Sequence, residues 1–310
     1  MVFEHVSVLR EETIDLLLTD PNGVYVDCTL GGAGHSRLLL SRLANEGKLI
    51  GLDQDDLAIR HAREVFVGDQ RVSLVKENFR FLQKILEELG VLPVKGIMLD
   101  LGVSSPQLDE AERGFSYMQD ALLDMRMDTT AALTAYDIVN LWEEKELERV
   151  IWQYGEERWA RRIAQFIVKA RTVESIERTG QLVEVIKAAM PAAARRDGPH
   201  PAKRTFQALR IAVNDELGVL DQVMDQALSC LDSGGRVAVI TFHSLEDRIV
   251  KQRMQSWLGN CTCPRGLPFC RCGAETRARI ITRKPILSSE QEVKVNPRSR
   301  SAKLRVAEKK

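Results

Sequence analysis

The 310-residue sequence has no apolar run near the ~18 residues that a membrane-spanning helix requires, no internal repeat, no low-complexity tract and no net charge. The first absence excludes an ordinary membrane span. Residues Met1 to Thr13 carry Glu4, Arg10, Glu11 and Glu12 where a signal peptide would need an apolar stretch, so the expectation is a soluble, cytoplasmic, unexported protein. With 44% hydrophobic and 28% charged residues the chain is neither disordered nor collagen-like, and it holds enough apolar material for a sizeable core. Its length favours two domains, or one large domain carrying an insertion. There are only six cysteines. Cys28 and Cys230 sit in apolar surroundings and the other four crowd between Cys261 and Cys272, where reduced thiols or a metal are expected before disulfides.

Zero net charge conceals an asymmetry. The window Gln107 to Asp128 holds six acidic and two basic residues, whereas Arg277 to Lys310 holds eleven basic and three acidic ones, so neutrality overall does not argue against a polyanionic partner.

Val24-Tyr25-Val26, Lys48 to Leu52, Val72 to Val75 and Ile97 to Leu101 are short apolar runs separated by amphipathic segments, the rhythm of a doubly wound parallel α/β sheet. From Pro106 to about Val213 the apolar positions turn helical, as in Trp159, Ile163, Phe166, Ile167 and Ala170. Strand character returns at Arg236 to Thr241 after the turn Ser233-Gly234-Gly235. The pattern predicts a discontinuous Rossmann-like domain over 1–105 and 214–310, interrupted by an inserted all-helical domain over 106–213. Arg279 to Arg283 and Leu304 to Val306 could pair as closing strands.

The first strand runs through Asp27-Cys28-Thr29-Leu30 into the turn Gly31-Gly32-Ala33-Gly34, then into a helix beginning His35-Ser36. Such a turn lets a ligand approach backbone N–H groups at a helix start. A dinucleotide fingerprint would need a third glycine where Arg37 stands, so a nucleoside-bearing cofactor without a pyrophosphate fits better. Asp53 ends the second run, where an acid accepts from ribose hydroxyls or caps the next helix. Phe79, after the third run, could flank an adenine or pack in the core. Asp100, after the fourth, reads as a ligand contact or a cap. The last run delivers Thr241-Phe242-His243-Ser244-Leu245-Glu246-Asp247 to the same edge. There Ser244 with Asp247 would form a capping box, and His243 is either substrate-proximal or locally satisfied.

Several strings then resemble one family. Asp27-x-Thr29-x-Gly31-x-x-Gly34-His35-Ser36, Leu99 to Asp109, Glu112 to Ser116, Leu123 to Asp128, Tyr154 to Arg158, His200-Pro201-Ala202, Phe206-Gln207-Ala208, Arg210-Ile211-x-Val213-Asn214 and Phe242 to Arg248 are similar to the bacterial 16S rRNA cytosine-N4 methyltransferases, which use S-adenosylmethionine. The likeness runs from about His5 to Arg305. It implies a methyltransferase domain interrupted by a helical substrate-binding domain, and cofactor contacts at Ala33, Gly34, His35, Asp53, Phe79, Asp100 and Gln107. It further implies methylation of one cytidine in the decoding region of small-subunit rRNA, with no DNA or membrane partner; a homodimer is compatible with it.

The exocyclic N4 lone pair of cytosine is delocalised into the ring. Attack on a sulfonium methyl therefore requires the amine to pyramidalise, and alignment with nearby acceptors supplies the help, with no covalent enzyme intermediate. The expected substrate-proximal residues are Asp100, Ser105 and His243, with Ser104 a further polar candidate. Phe115, Tyr117 and Phe242 are candidate stacking platforms for a splayed base. Arg195, Arg196, Lys203, Arg204 and Arg210, and the tail from Arg277, are candidate phosphate contacts. The acidic stretch from Asp109 to Asp128 would repel RNA and is assigned to pocket walls. Cys261, Cys263, Cys270 and Cys272 could hold tetrahedral zinc, although Cys-x-Cys is tighter than the usual ligand spacing; reduced loop cysteines are the competing reading. Two other functions use the same features: a methyltransferase for DNA or protein, and a non-catalytic RNA-binding ribosome assembly factor.

Overall fold

The structure is a computed structural model that describes residues 7–104, 107, 108, 110–196, 198, 200–259, 263 and 275–310, with the backbone alone for residue 196. In chain order the elements are α1 (Arg10–Leu17), β1 (Val24–Asp27), α2 (Gly34–Arg42), β2 (Lys48–Asp53), α3 (Asp56–Val65), β3 (Val72–Lys76), α4 (Leu82–Glu88) and β4 (Val94–Asp100). Then come α5 (Ala135–Leu141), α6 (Glu144–Gly155), α7 (Ala160–Arg171), α8 (Thr179–Ala189), α9 (Ala192–Arg196) and α10 (Lys203–Asn214). The chain returns through α11 (Glu216–Cys230), β5 (Leu231–Thr241), α12 (Ser244–Ser256), β6 (Ala278–Ile280), β7 (Ile286–Leu287), α13 (Glu290–Val295) and β8 (Lys303–Lys309).

Strands β1 to β5 lie parallel in the order β3-β2-β1-β4-β5. β8 adds antiparallel to β5, and β6 and β7 add antiparallel to β8. The closing-strand expectation for Arg279 to Arg283 and Leu304 to Val306 is met over Ala278–Ile280 and Lys303–Lys309.

Alternation along the central strands explains why both faces must be covered. Val26, Ile50, Leu52, Ile97, Leu99, Val237 and Val239 share one apolar cluster with residues of α4, α11 and α12. Their neighbours Tyr25, Leu49, Met98, Ala238 and Ile240 share another with residues of α1, α2 and α3. Helices on both faces of a mostly parallel sheet make this a doubly wound α/β fold. Burying a Leu- or Val-sized side chain on either face contributes roughly 1.5–3 kcal/mol.

β5 differs from the sequence expectation. It begins at Leu231, not Arg236, and its register on β4 slips between the partners of Val94 and Gly96. Gly234, at φ +74, supplies the left-handed residue inside that irregularity, so the expected turn is a bulge within a longer strand.

By internal packing the chain divides into two units, Met1–Gly102 with Leu217–Lys310, and Val103–Glu216. The second contains helices α5 to α10 around its own core, which includes Ile138, Leu147, Ile151, Ile163, Ile167, Leu182, Ile186, Phe206 and Leu209. Gly155 ends α6 against α10, where a Cβ would lie 2.7 Å from the Arg204 carbonyl oxygen. Among the described residues no helix is long and apolar enough to cross a membrane.

Candidate functional site

In a doubly wound sheet the crossovers leave β1 and β4 in opposite directions, and the crevice beyond their carboxyl ends is where ligands collect. The strand order places that switch between β1 and β4. Three acids stand at the relevant strand ends: Asp27 on β1, Asp53 on β2 and Asp100 on β4.

The turn after β1 is tied to both neighbours. Asp27 accepts from Thr29 N (3.0 Å) and Ser36 Oγ (2.7 Å), which pins the turn to the start of α2. The Thr29 hydroxyl in turn accepts from Asp100 N at 2.6 Å, while Gly31 N donates to Asp53 Oδ2 at 3.0 Å. Asp53 Oδ1 also accepts from Asp55 N at 2.9 Å. Ala33 holds a left-handed φ of +59, and a Cβ on Gly34 would lie 2.0 Å from Ser7 Oγ, so a larger residue there would have to displace the Ser7 side chain. His35 is buried, with Nε2 3.0 Å from the Val8 carbonyl oxygen; that oxygen can only accept, so Nε2 carries a proton. Its Nδ1 faces Asp100 Oδ2 at 3.7 Å.

Burial dominates the electrostatics. It raises the Asp27 carboxyl despite the Ser36 and Thr29 hydrogen bonds. It pushes Asp53 to about 6 even though two backbone N–H groups oppose it. Asp100 is raised well above the usual carboxylate range, first by burial and then by the charges of Asp27 and Glu246. Its burial is one-sided: the side chain is 21% exposed, yet Oδ1 is buried with no hydrogen-bond partner. A buried acceptor left without a donor costs about 1–3 kcal/mol, a debt that a ligand donor would remove.

The MraW methylase family matches residues 2–310. The chain belongs to this family. It is 58% identical to a protein called Ribosomal RNA small subunit methyltransferase H from Paenibacillus sp. (strain JDR-2), over 99% of this chain and 100% of that one. A protein of the same name from Clostridioides difficile (strain 630) is 56% identical, with both chains fully covered. Among solved structures, an rRNA methylase from Streptococcus thermophilus gives a looser likeness: TM-score 0.41 at 11% identity over 97% of this chain and 93% of that one.

As an MraW-family methylase, the protein uses S-adenosylmethionine. The crevice suits it. The cofactor carries a sulfonium, an ammonium and two ribose hydroxyls, all of which call for acceptors, and the strand ends offer one orphaned carboxylate oxygen together with a second carboxylate held open for more. Asp53 uses one lone pair on each oxygen for Asp55 N and Gly31 N, which leaves acceptor capacity on both.

Ala33, Gly34, His35, Asp53 and Asp100 therefore gather around the turn after β1. Phe79 opens a short 3-10 turn capped by Asn78 and is half-buried against the core cluster below it. Gln107 belongs to the helical unit, where its Oε1 accepts from Ser104 N at 3.0 Å. Ser105 lies outside the described residues, as do Cys261, Cys270 and Cys272; of the four zinc candidates only Cys263 is described. The tether from Thr29 to Asp100 N is not anticipated in the sequence reading. The Asp-x-Thr spacing, in which the acid accepts from the threonine N–H, was the available signal.

His243 is a correction to the capping expectation. It, not Ser244, is the N-cap of α12: Nδ1 accepts from Glu246 N at 3.4 Å, and Glu246 Oε2 accepts from Phe242 N (2.7 Å) and His243 N (3.2 Å). Asp247, the expected partner of Ser244, instead pairs with Arg305 (2.7 Å) and Lys303 (3.1 Å) of β8.

The remaining candidates are largely engaged within their own units. Phe115 is buried under the Arg113 guanidinium at 5.8 Å, and Tyr117 stacks on His200 at 4.7 Å. Phe242 packs at the edge of the second sheet cluster. Arg204 donates to the Glu156 carbonyl oxygen, and Arg210 forms a two-pronged pair with Glu216. In the basic tail Arg279 pairs with Glu308 at 2.7 Å, and Lys309 donates to the carbonyl oxygens of Ser229 and Leu231. Four of the tail's eleven basic residues, Arg279, Lys303, Arg305 and Lys309, thus fasten β8 in place.

Proposed function

We propose that this protein transfers the methyl group of S-adenosylmethionine to the exocyclic N4 of a cytidine in the decoding region of small-subunit rRNA. The observation that carries this reading is the end-to-end match to relatives named as small-subunit rRNA methyltransferases, at 54–58% identity. The named substrate belongs to those relatives; what supports the reading here is the set of acids at the ends of β2 and β4, with acceptor capacity left on Asp53 and Asp100 Oδ1 without a partner.

When bound, the cofactor supplies an electrophilic methyl on a good leaving group, so the protein needs no nucleophile of its own. Asp53, fixed by Gly31 N and Asp55 N, holds the ribose hydroxyls. Asp100, with its orphaned Oδ1, takes a cationic donor of the cofactor, whose approach also favours the ionised carboxylate. Ala33, Gly34 and His35 shape the turn, and Phe79 and Gln107 complete the cofactor set. Asp100, Ser105 and His243 are the candidates for receiving the target amine, and the helical unit 103–216 is assigned to substrate binding. In this scheme the chain acts in the cytoplasm on small-subunit rRNA.

The test is to incubate the full chain with methyl-labelled S-adenosylmethionine and small ribosomal subunits and to map the label. A single rRNA cytidine carrying the methyl on N4 is the expected result. Label confined to DNA or protein in parallel incubations, or RNA binding without transfer, would overturn it.

A further inference from the structure

Several arginines of the helical unit are tied to their own unit. Arg113 donates to the carbonyl oxygens of Arg126 and Met127, Arg126 grips Asp124, Arg171 closes on the carbonyl oxygens of Val139 and Trp142, Arg178 pairs with Asp120, and Arg210 pairs with Glu216. One stretch concentrates the opposite case. Residues 158–171 contain five basic residues and no acidic one. Arg171 is the C-terminal brace just described; Arg158, Arg161, Arg162 and Lys169 are exposed, and none has a carboxylate partner among the described residues.

Helical periodicity gathers these four on one face. At 100° per residue Arg161, Arg162 and Lys169 project to the same side of α7, and Arg158 precedes it in line. The opposite side is closed, because Ala160, Ile163, Ala164 and Ile167 are buried in the core of the unit. The result is a ridge of unpaired cations about 12 Å long between Arg161 and Lys169. Two guanidiniums are also held in place without being neutralised: Arg158 lies over the Trp159 ring at 5.3 Å and Arg162 over the Phe166 ring at 5.4 Å. A ring face fixes the plane of a guanidinium while leaving its charge and its N–H edge available, which is the presentation that phosphate oxygens favour.

Repelling like charges lie along one exposed helix face with no carboxylate partner among the described residues, and charge complementarity then points to a polyanion. We infer that the α7 ridge of Arg158, Arg161, Arg162 and Lys169 is a docking surface for the phosphate backbone of the RNA substrate. This rests on the reading of rRNA as substrate and assigns part of its recognition to residues outside the methyl-transfer crevice. A stacked, evenly charged ridge reads backbone rather than base, so it fixes register and affinity, not the choice of cytidine.

The test compares the full chain with the quadruple variant Arg158→Gln, Arg161→Gln, Arg162→Gln, Lys169→Gln, using a fluorescent small-subunit rRNA transcript titrated across a salt series. Removing four phosphate contacts is expected to lower the slope of log affinity against log salt by about 3. Calorimetric affinity for S-adenosylmethionine and the melting temperature should not change. KM for the small subunit should rise with kcat preserved, and Arg-to-Lys replacement at the three arginines should keep the slope, since the charge is kept. If the quadruple variant melts early, the pair Arg161→Gln, Lys169→Gln, which disturbs no ring contact, should still remove about half of the effect. An unchanged slope in a folded variant overturns the inference. So does unchanged binding to the transcript with weakened binding to the assembled subunit, which would identify a ribosomal protein as the partner. Failure of the wild-type chain to methylate rRNA at all would be a separate result, against the proposed function itself.

Discussion

Two regions of this chain carry family-like strings, and they treat their polar groups in opposite ways. At the ends of β1, β2 and β4 the buried acids are incompletely satisfied: Asp100 Oδ1 has no partner, and Asp53 stays near 6 although it accepts from two N–H groups. In the helical unit the strings close on themselves. Asp124 and Arg126 form a two-pronged pair, and Arg113 reaches back to the carbonyl oxygens of Arg126 and Met127. Asn214 ties Met127 N to the Met125 and Arg210 carbonyl oxygens, around a Met125 held at φ +62. Buried polar groups are expensive unless paired, so an unpaired set persists where a ligand completes it, and a fully paired set persists because it fixes a loop. The letters alone do not separate the two cases.

The largest effect expected from this contrast is on stability in the helical unit. Asn214→Ala removes three hydrogen bonds and leaves Met127 N and two carbonyl oxygens seeking partners, a loss of about 3 kcal/mol at roughly 1 kcal/mol each. Thermal or denaturant unfolding should show it while calorimetric affinity for S-adenosylmethionine holds. A variant as stable as the parent would break the contrast on this side.

Asp100→Asn should do the reverse. Losing a charge-assisted contact to the cofactor weakens affinity by about 1.5–3 kcal/mol, at least tenfold in Kd, whereas the cofactor-free protein is no less stable because it sheds a buried, unpartnered acid. Unchanged Kd would remove Asp100 from the cofactor site.

The pH dependence sharpens the same comparison. Asp53 sits near 6 when folded, against 3.8 for the ordinary group, so the folded chain retains a proton that the unfolded chain releases. Its contribution to stability is full below about pH 3.8 and is lost as pH rises through 6. Asp27 and Asp100 act in the same direction. Asp124, lowered by Arg126 in the helical unit although burial opposes the shift, contributes above about pH 3.8 and loses that contribution on acidification. Lowering the pH from 7 to 4.5 should therefore shift the stability difference between the parent and Asp53→Ala toward the parent by on the order of 1–2 kcal/mol, allowing for the partial exposure of Asp53. A difference independent of pH would mean that the Asp53 carboxyl is not strained by burial.

Much of the sheet was legible in the sequence because its strands are buried on both faces, which makes them continuous apolar runs: Tyr25 and Val26, or Leu49 and Ile50, serve opposite clusters and are equally apolar. The first five residues of β5 were not legible, since Asp232, Ser233, Gly234 and Gly235 have turn composition and only pairing with β4 makes them strand. Asp53 and Asp100 could be singled out because acids at the ends of apolar runs are conspicuous. The engagement of Arg204, Arg210 and, in the tail, Arg279, Lys303, Arg305 and Lys309 in their own units could not, because charge counted along a window carries no information about partners across the fold. The α7 ridge escaped for the converse reason: its apolar side was read from Trp159, Ile163, Phe166, Ile167 and Ala170, and the signal lay on the other side of the same helical projection.

His243 gives the smallest effect and the most direct separation of the two roles. Its imidazole caps α12 through Glu246 N, and its Nε2 lies 3.1 Å from Glu246 Oε1 without the alignment of a good hydrogen bond. Ordinary capping energetics put His243→Ala at about 1 kcal/mol of lost stability, and Asn, a stronger N-cap residue, should restore it. If capping is all that His243 provides, His243→Asn should match the parent in both melting temperature and kcat. If the ring also meets the target base, the Asn variant will melt like the parent yet lose about tenfold or more in kcat, and the residue then belongs with the incomplete polar groups of the crevice, not with the closed ones.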